Sequence, residues 1–172
     1  AGPVAILGST YAEHGHAWRK AGYAVTETVT PAEAAATIIV VNPNNPDGRV
    51  LSQAELTSLA AHCAANGGLL VVDEAFADFT PEDSIVPDLP DGTIVLRSFG
   101  KTYGLAGLRL GFAIGAPGPV AKLKAALGPW SVAGPALHVG ALALSDAAWL
   151  AETGSARARD AARLHPLLAP HG

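Results

Sequence analysis

Five short runs rich in valine and isoleucine, at residues 4–7, 37–42, 69–73, 93–98 and 109–114, punctuate the chain, with turn residues or helical patterns between them. Runs this short and this continuously apolar predict strands buried on both faces of a sheet. Their alternation with helical stretches predicts an α/β fold, a mostly parallel sheet with helices on both faces. Between the second and third runs, Ser52 and Glu55 stand at capping-box spacing. Leu56, Leu59, Ala60 and Cys63 then share one helical face, and Asn66-Gly67-Gly68 closes that helix. Further helices are expected over 11–21, 118–127 and 134–146, with Gly128-Pro129-Trp130 as a break between the last two. An Ala- and Arg-rich helical segment follows over 147–168.

Composition narrows the function classes. Hydrophobic residues make up 49% of the 172 and charged residues 15%, against about 25% charged in ordinary domains. So apolar a chain suits a doubly covered sheet or a surface meant for a partner. The length suits one domain with a real core. A net charge of −4, with Lys and Arg scattered, gives no basic stripe for nucleic acid. Cys63 is the sole cysteine, which excludes an intrachain disulfide and a cysteine zinc cluster, and no metal ligands are assigned. No apolar run approaches the roughly 18 residues of a membrane span and no signal peptide precedes Ala1, so the expectation is a cytoplasmic protein without membrane contact. The absence of any methionine, with a strand beginning at Val4, points to a segment of something longer.

The chemistry-bearing stretch is Ser98-Phe99-Gly100-Lys101, followed by Arg109 within Gly107-Leu108-Arg109-Leu110-Gly111. An amine and a guanidinium one short loop apart can hold a phosphorylated aldehyde covalently. Lys101 follows a strand and therefore belongs at the carboxyl edge of the sheet, where open α/β folds bind ligands. A lysine near another cation is the usual Schiff-base nucleophile. Asp73 ends an apolar strand, where its carboxylate can pair with a protonated ring nitrogen or simply face water or cap a helix. Glu74 points to the opposite side and reads as structural. The turn Asn42-Pro43-Asn44-Asn45-Pro46-Asp47-Gly48 is rigid enough to hold an asparagine against a ring oxygen.

Gly100-Lys101-Thr102 also mimics a nucleotide-binding P-loop, a reading that would make the chain an ATPase. It lacks the glycine five residues before Gly100, where Val95 stands, and its carboxylate strand precedes the lysine instead of following it. Gly104, Gly107 and Gly111 lead into a strand, so the dinucleotide fingerprint fails as well.

These motifs resemble the large domain of fold-type-I pyridoxal-phosphate (PLP) enzymes of the class I/II aminotransferase family. Within that family the stretches from Asp73 to Phe79, from Leu96 through Gly111 and from Gly128 to Leu137 are most similar to the threonine-phosphate decarboxylases of cobalamin biosynthesis. The resemblance implies a partial PLP-binding large domain over residues 1–146. Residues 147–172 would form a helical segment leading toward a small domain. It implies that Lys101 forms the internal aldimine and shuttles the proton, that Ser98 and Arg109 hold the cofactor phosphate, and that Asp73 pairs with the pyridine nitrogen. Asn45 would contact the phenolic oxygen and Tyr11 stack on the ring. His14 either supports the aspartate, as in some members, or belongs to a plain surface helix. Phe76 stands where many members carry a tyrosine, and its ring cannot donate a hydrogen bond.

The family's N-terminal phosphate loop and C-terminal carboxylate-binding arginine have no counterpart in these residues, and Arg157, Arg159 and Arg163 are not assigned that role. The activity implied is PLP-dependent decarboxylation of L-threonine O-3-phosphate, a small phosphorylated amino acid, to (R)-1-amino-2-propanol phosphate. A histidinol-phosphate-type aminotransferase is the second reading, because substrate-orienting groups, not cofactor motifs, choose which bond breaks. A catalytically silent folding or dimerisation unit is the third. The resemblance also implies a homodimer, with Trp130 and Ser131 either at its boundary or filling a core gap.

Overall fold

The computed structural model describes residues 2–30 and 35–169, and its strands form one sheet in the order β2-β1-β3-β4-β5-β6. These are β1 (Val4–Leu7), β2 (Val25–Thr28), β3 (Thr37–Val41), β4 (Leu70–Asp73), β5 (Thr93–Ser98) and β6 (Gly111–Gly115). All neighbours are parallel except β6, which runs antiparallel to β5. The exception follows from connection length: residues 99–110 form a loop with a single short 3-10 turn, Ala106–Leu108, and no crossover helix, so the chain returns beside the strand it has just left. The last strand begins at Gly111, not at 109, because Arg109 adopts the left-handed conformation (φ 52°) and ends that turn. Strand β2 is the element the apolar-run pattern does not announce. It borders only β1, and Thr26 and Glu27 are exposed, so its sequence lacks the hydrophobic continuity of the inner strands.

Alternating residues divide the core into two layers. On one face Ala5, Leu7, Ile38, Val40, Leu70, Val72 and Val95 meet Leu56, Ala60 and Cys63 of helix α2 (Gln53–Ala65). On the other, Val4, Ile6, Ile39 and Val71 are covered by Trp18 and Tyr23, whose rings meet edge-on at 4.9 Å. Trp18 lies on helix α1 (Glu13–Lys20). Helices therefore cover both faces, as a parallel sheet requires. The expected capping box is formed: the Ser52 hydroxyl accepts from Glu55 N–H at 3.3 Å, and Glu55 accepts from Ser52 N–H at 2.8 Å. A third helix, α3 (Pro117–Leu127), contacts β6.

The described chain comprises two compact units, divided between Val132 and Ala133. The second unit contains α4 (Gly134–Ser145) and α5 (Ala147–Leu168), with the Asp146 carboxylate between them accepting from Trp149 N–H at 2.9 Å. Among the described residues no helix is long and apolar enough to cross a membrane.

Candidate active site

Three strands end side by side and deliver the candidate residues. Beyond β3, Asn42 is fully buried, its amide donating to Leu51 O at 3.2 Å and its carbonyl accepting from Leu51 N–H at 2.7 Å. That clasp fixes the root of the 42–48 turn. Farther along, Asn44 donates to Ser9 O at 3.1 Å and to the Asp47 carboxylate at 2.8 Å, which also accepts from Arg49 N–H at 3.0 Å. The Arg49 N–H first, and the Asn44 amide second, hold the Asp47 carboxyl below its ordinary range. Asn45 is left exposed at the turn's surface, free of these internal clasps.

At the end of β4 the two-residue period of a strand sends consecutive acids to opposite faces. Asp73 falls on the α1 side, where its Oδ2 lies 2.8 Å from His14 Nε2 while its Oδ1 accepts from Ala75 N–H at 3.0 Å. His14 thus supports the aspartate, the first of the two readings the sequence left open. Glu74 falls on the other side and is fully buried, accepting from Ile85 N–H and from the Ser84 hydroxyl, each at 2.8 Å. It is structural, as its position in the strand predicts.

At the end of β5, Ser98 Oγ accepts from Gly100 N–H at 3.3 Å and the chain turns into Lys101. Gly100 is required for close approach: a Cβ there would lie 3.0 Å from Ala106 Cα, so any side chain would push apart the loop that carries Lys101 and Arg109. No helix follows Gly100-Lys101-Thr102; the chain goes through turns to the 3-10 turn and into β6. A P-loop needs a helix N-terminus at that point, so the nucleotide reading is overturned.

Tyr11, Asn45, Asp73, Ser98, Lys101 and Arg109 all line one cavity of ≈ 300 Å³. The structure brings these six candidates to one place. Phe76 lines the same cavity, and the Lys101 amine lies 5.8 Å from its ring centroid, within cation–π range. Tyr11 meets the His14 ring edge-on at 5.8 Å. One charged wall residue was missed: Arg97, whose guanidinium pairs with Glu74 at 2.8 Å and Asp78 at 2.9 Å. The available signal was a charged residue inside a strand otherwise fit for burial.

The family model for aminotransferases of class I and II matches residues 16–170. This chain belongs to that family. The family is PLP-dependent. The threonine-phosphate decarboxylase of Pseudomonas aeruginosa is 50% identical over 151 residues, covering 84% of this chain and 46% of that protein. A histidinol-phosphate aminotransferase of Symbiobacterium thermophilum is 40% identical over 119 residues, covering 67% of this chain and 32% of that one. Among solved structures, histidinol-phosphate aminotransferase from Sinorhizobium meliloti in complex with pyridoxal-5′-phosphate superposes with a TM-score of 0.79 over 99% of this chain and 51% of that chain, at 24% identity. The fold is thus that of the fold-type-I aminotransferases, and the chain spans about half the length, or less, of the relatives it matches.

The donor set of the cavity fits the family's cofactor. A carboxylate oriented by two hydrogen bonds suits a protonated pyridine nitrogen, an amine suits an aldehyde, and a guanidinium with a hydroxyl suits a phosphate.

Proposed function

We propose that this chain is the PLP-binding portion of a threonine-phosphate decarboxylase, which converts L-threonine O-3-phosphate to (R)-1-amino-2-propanol phosphate for cobalamin biosynthesis. The observation that carries the reading is the convergence of six candidate residues on one cavity. The 50% identity to a threonine-phosphate decarboxylase, against 40% to the aminotransferase, favours the lyase.

When bound, PLP supplies an electron sink that accepts the pair released from the substrate's α-carbon. Each residue then has a defined task. Lys101 Nζ holds the cofactor and afterwards carries a proton. Asp73, oriented by His14 and Ala75 N–H, keeps the pyridine nitrogen protonated. Ser98 and Arg109 hold the phosphate, Asn45 contacts the phenolic oxygen, and Tyr11 covers the ring. Arg109 supports this assignment by its backbone, since a non-glycine residue at φ 52° is held in a costly conformation of the kind that collects at ligand sites. Phe76 offers a ring face and no hydroxyl, so the phenolic oxygen loses a donor that many family members provide.

The whole enzyme is proposed to be a cytoplasmic homodimer acting on a small phosphorylated amino acid, without nucleic-acid or membrane partners. A histidinol-phosphate-type aminotransferase is the second reading, favoured by the 40% identity above. Adding PLP should produce visible absorbance that vanishes in Lys101→Ala; no absorbance in the parent protein would identify a silent domain. Release of carbon dioxide from threonine phosphate supports the lyase, and glutamate-dependent transamination without it refutes it.

A further inference from the structure

The rungs between β4 and β5 stop at Asp73 opposite Leu96, with Glu74 N–H donating to Leu96 O at 2.9 Å. Residues 97 and 98 continue beyond that point. On the β6 side they still have backbone partners, Arg97 opposite Phe112 and Ser98 opposite Gly111. On the β4 side the tie is made by side chains. Arg97 Nη2 lies 2.8 Å from Glu74 Oε2 and donates to Ser84 Oγ at 2.9 Å, while Nη1 donates to Asp78 Oδ1 at 2.9 Å. Glu74 has no exposed side-chain surface, and Arg97 and Asp78 are only 18% and 19% exposed. A buried ion pair is a poor source of net stability but a strongly directional one, since each donor and acceptor must keep its geometry.

The two site residues next to this pair are anchored unequally. Asp73 is held from two sides, by His14 at 2.8 Å and Ala75 N–H at 3.0 Å. The Ser98 hydroxyl has the long 3.3 Å contact from Gly100 N–H. Loosening the end of β5 should therefore be felt at Ser98 before Asp73.

We propose that Arg97, clamped by Glu74, is a positioning residue for the phosphate end of the cavity: the ion pair continues the β4–β5 ladder past its last rung and fixes Ser98 on the wall it shares with Arg109. The inference rests on the functional reading above, since it takes Ser98 to be a phosphate ligand.

The test compares dissociation constants for PLP and for pyridoxal, which lacks the phosphate, together with the melting point of each variant. In the parent protein PLP should bind roughly tenfold or more tightly than pyridoxal, the size of a hydrogen bond to a charged group. Arg97→Met and Glu74→Gln should each lower that ratio severalfold by weakening PLP, with pyridoxal little changed and Arg109 still supplying its share of the preference. In Glu74→Gln/Arg97→Met the melting point should recover in part, because the fully buried Glu74 charge is gone while the less buried Asp78 still lacks its cation, and the ratio stays low. In a Ser98→Ala background, Arg97→Met should change the ratio no further.

An unchanged ratio in Arg97→Met overturns the proposal, as does a ratio that recovers together with stability in the double variant. A normal or raised ratio in Glu74→Gln also overturns it, because a guanidinium touching phosphate directly would bind better once freed. Should the single variants fail to fold, Asp78→Asn removes one anchor of Arg97 at a less buried position, and an unchanged ratio there is equally fatal. A parent protein with no preference for PLP refutes the functional reading itself and takes this inference with it.

Discussion

The His14–Asp73 contact is the link between helix α1 and the cavity, and its strength can be measured without any ligand. The 2.8 Å bond joins side chains that are 13% and 15% exposed. Hydrogen bonds to charged groups contribute about 1.5–3 kcal/mol net, and partial solvent access brings this one to the lower end of that range or just below it, about 1–2 kcal/mol. Asp73→Asn keeps the oxygen that accepts from Ala75 N–H but removes the charge facing His14. His14→Ala leaves the carboxylate with the Ala75 bond alone. Urea unfolding of both single variants and the double variant forms a thermodynamic cycle. The expected coupling is about 1–2 kcal/mol, a factor of roughly 5–30 in the folding constant. Losses that simply add would show that the two side chains do not interact in solution, and the proposed orientation of Asp73 would fall with the bond.

Gly68→Ala should be severely destabilising, because its Cβ would lie 1.7 Å from Ala36 O and 2.3 Å from Ala36 C. Backbone must move, and a loss above about 3 kcal/mol in urea is expected; Gly118→Ala, which meets nothing within 4 Å in the first turn of α3, should be neutral or slightly stabilising by the same assay. The Ser52 hydroxyl first, and its backbone N–H second, lower the Glu55 pKa below its reference value of 4.5. A depressed carboxyl stabilises above the unfolded-state value and loses that contribution as pH falls through the folded-state value. Thermal melts below pH 4.5 should therefore show a flatter acid limb in Glu55→Gln than in the parent. Cys63 is fully buried and burial raises its thiol pKa, so its labelling by a thiol reagent should track global unfolding. Rapid labelling under native conditions would contradict that burial.

Much of the fold was legible because the inner strands are covered twice. Residues 38–41 and 70–72 must be apolar on both sides of the sheet, and that requirement writes itself into the sequence as unbroken runs. Strand β2 is covered less, and Val25-Thr26-Glu27-Thr28 carries only the weak signature of an edge. The candidate site follows a related rule: ligand groups in such folds stand where apolar runs end, so position draws attention to Asp73 and Lys101, while the roles of Ser98, Arg109, Asn45 and Tyr11 come from the family resemblance. Arg97 was not picked out: a charge inside a strand otherwise fit for burial marks it, but what it pairs with cannot be read from the strand itself. Its partners Asp78 and Ser84 belong to the 77–88 connection, whose 3-10 turns have no hydrophobic period to read.

The buried charge also explains how two adjacent acids do different work. Asp73 and Glu74 differ by one residue, but the strand's two-residue period places one in the cavity and the other in the packed layer behind it. Moving either by a single position would exchange their environments, taking Asp73 away from His14 and Glu74 away from its buried partners Arg97 and Ser84. The register of β4 against β5, set by Leu70 opposite Thr93 through Asp73 opposite Leu96, is therefore a chemical constraint as well as a structural one. A one-residue insertion between Leu70 and Asp73 should abolish PLP binding even where the protein still folds. Retained binding, measured by absorbance titration on a variant with native-like circular dichroism, would refute this account of the strand.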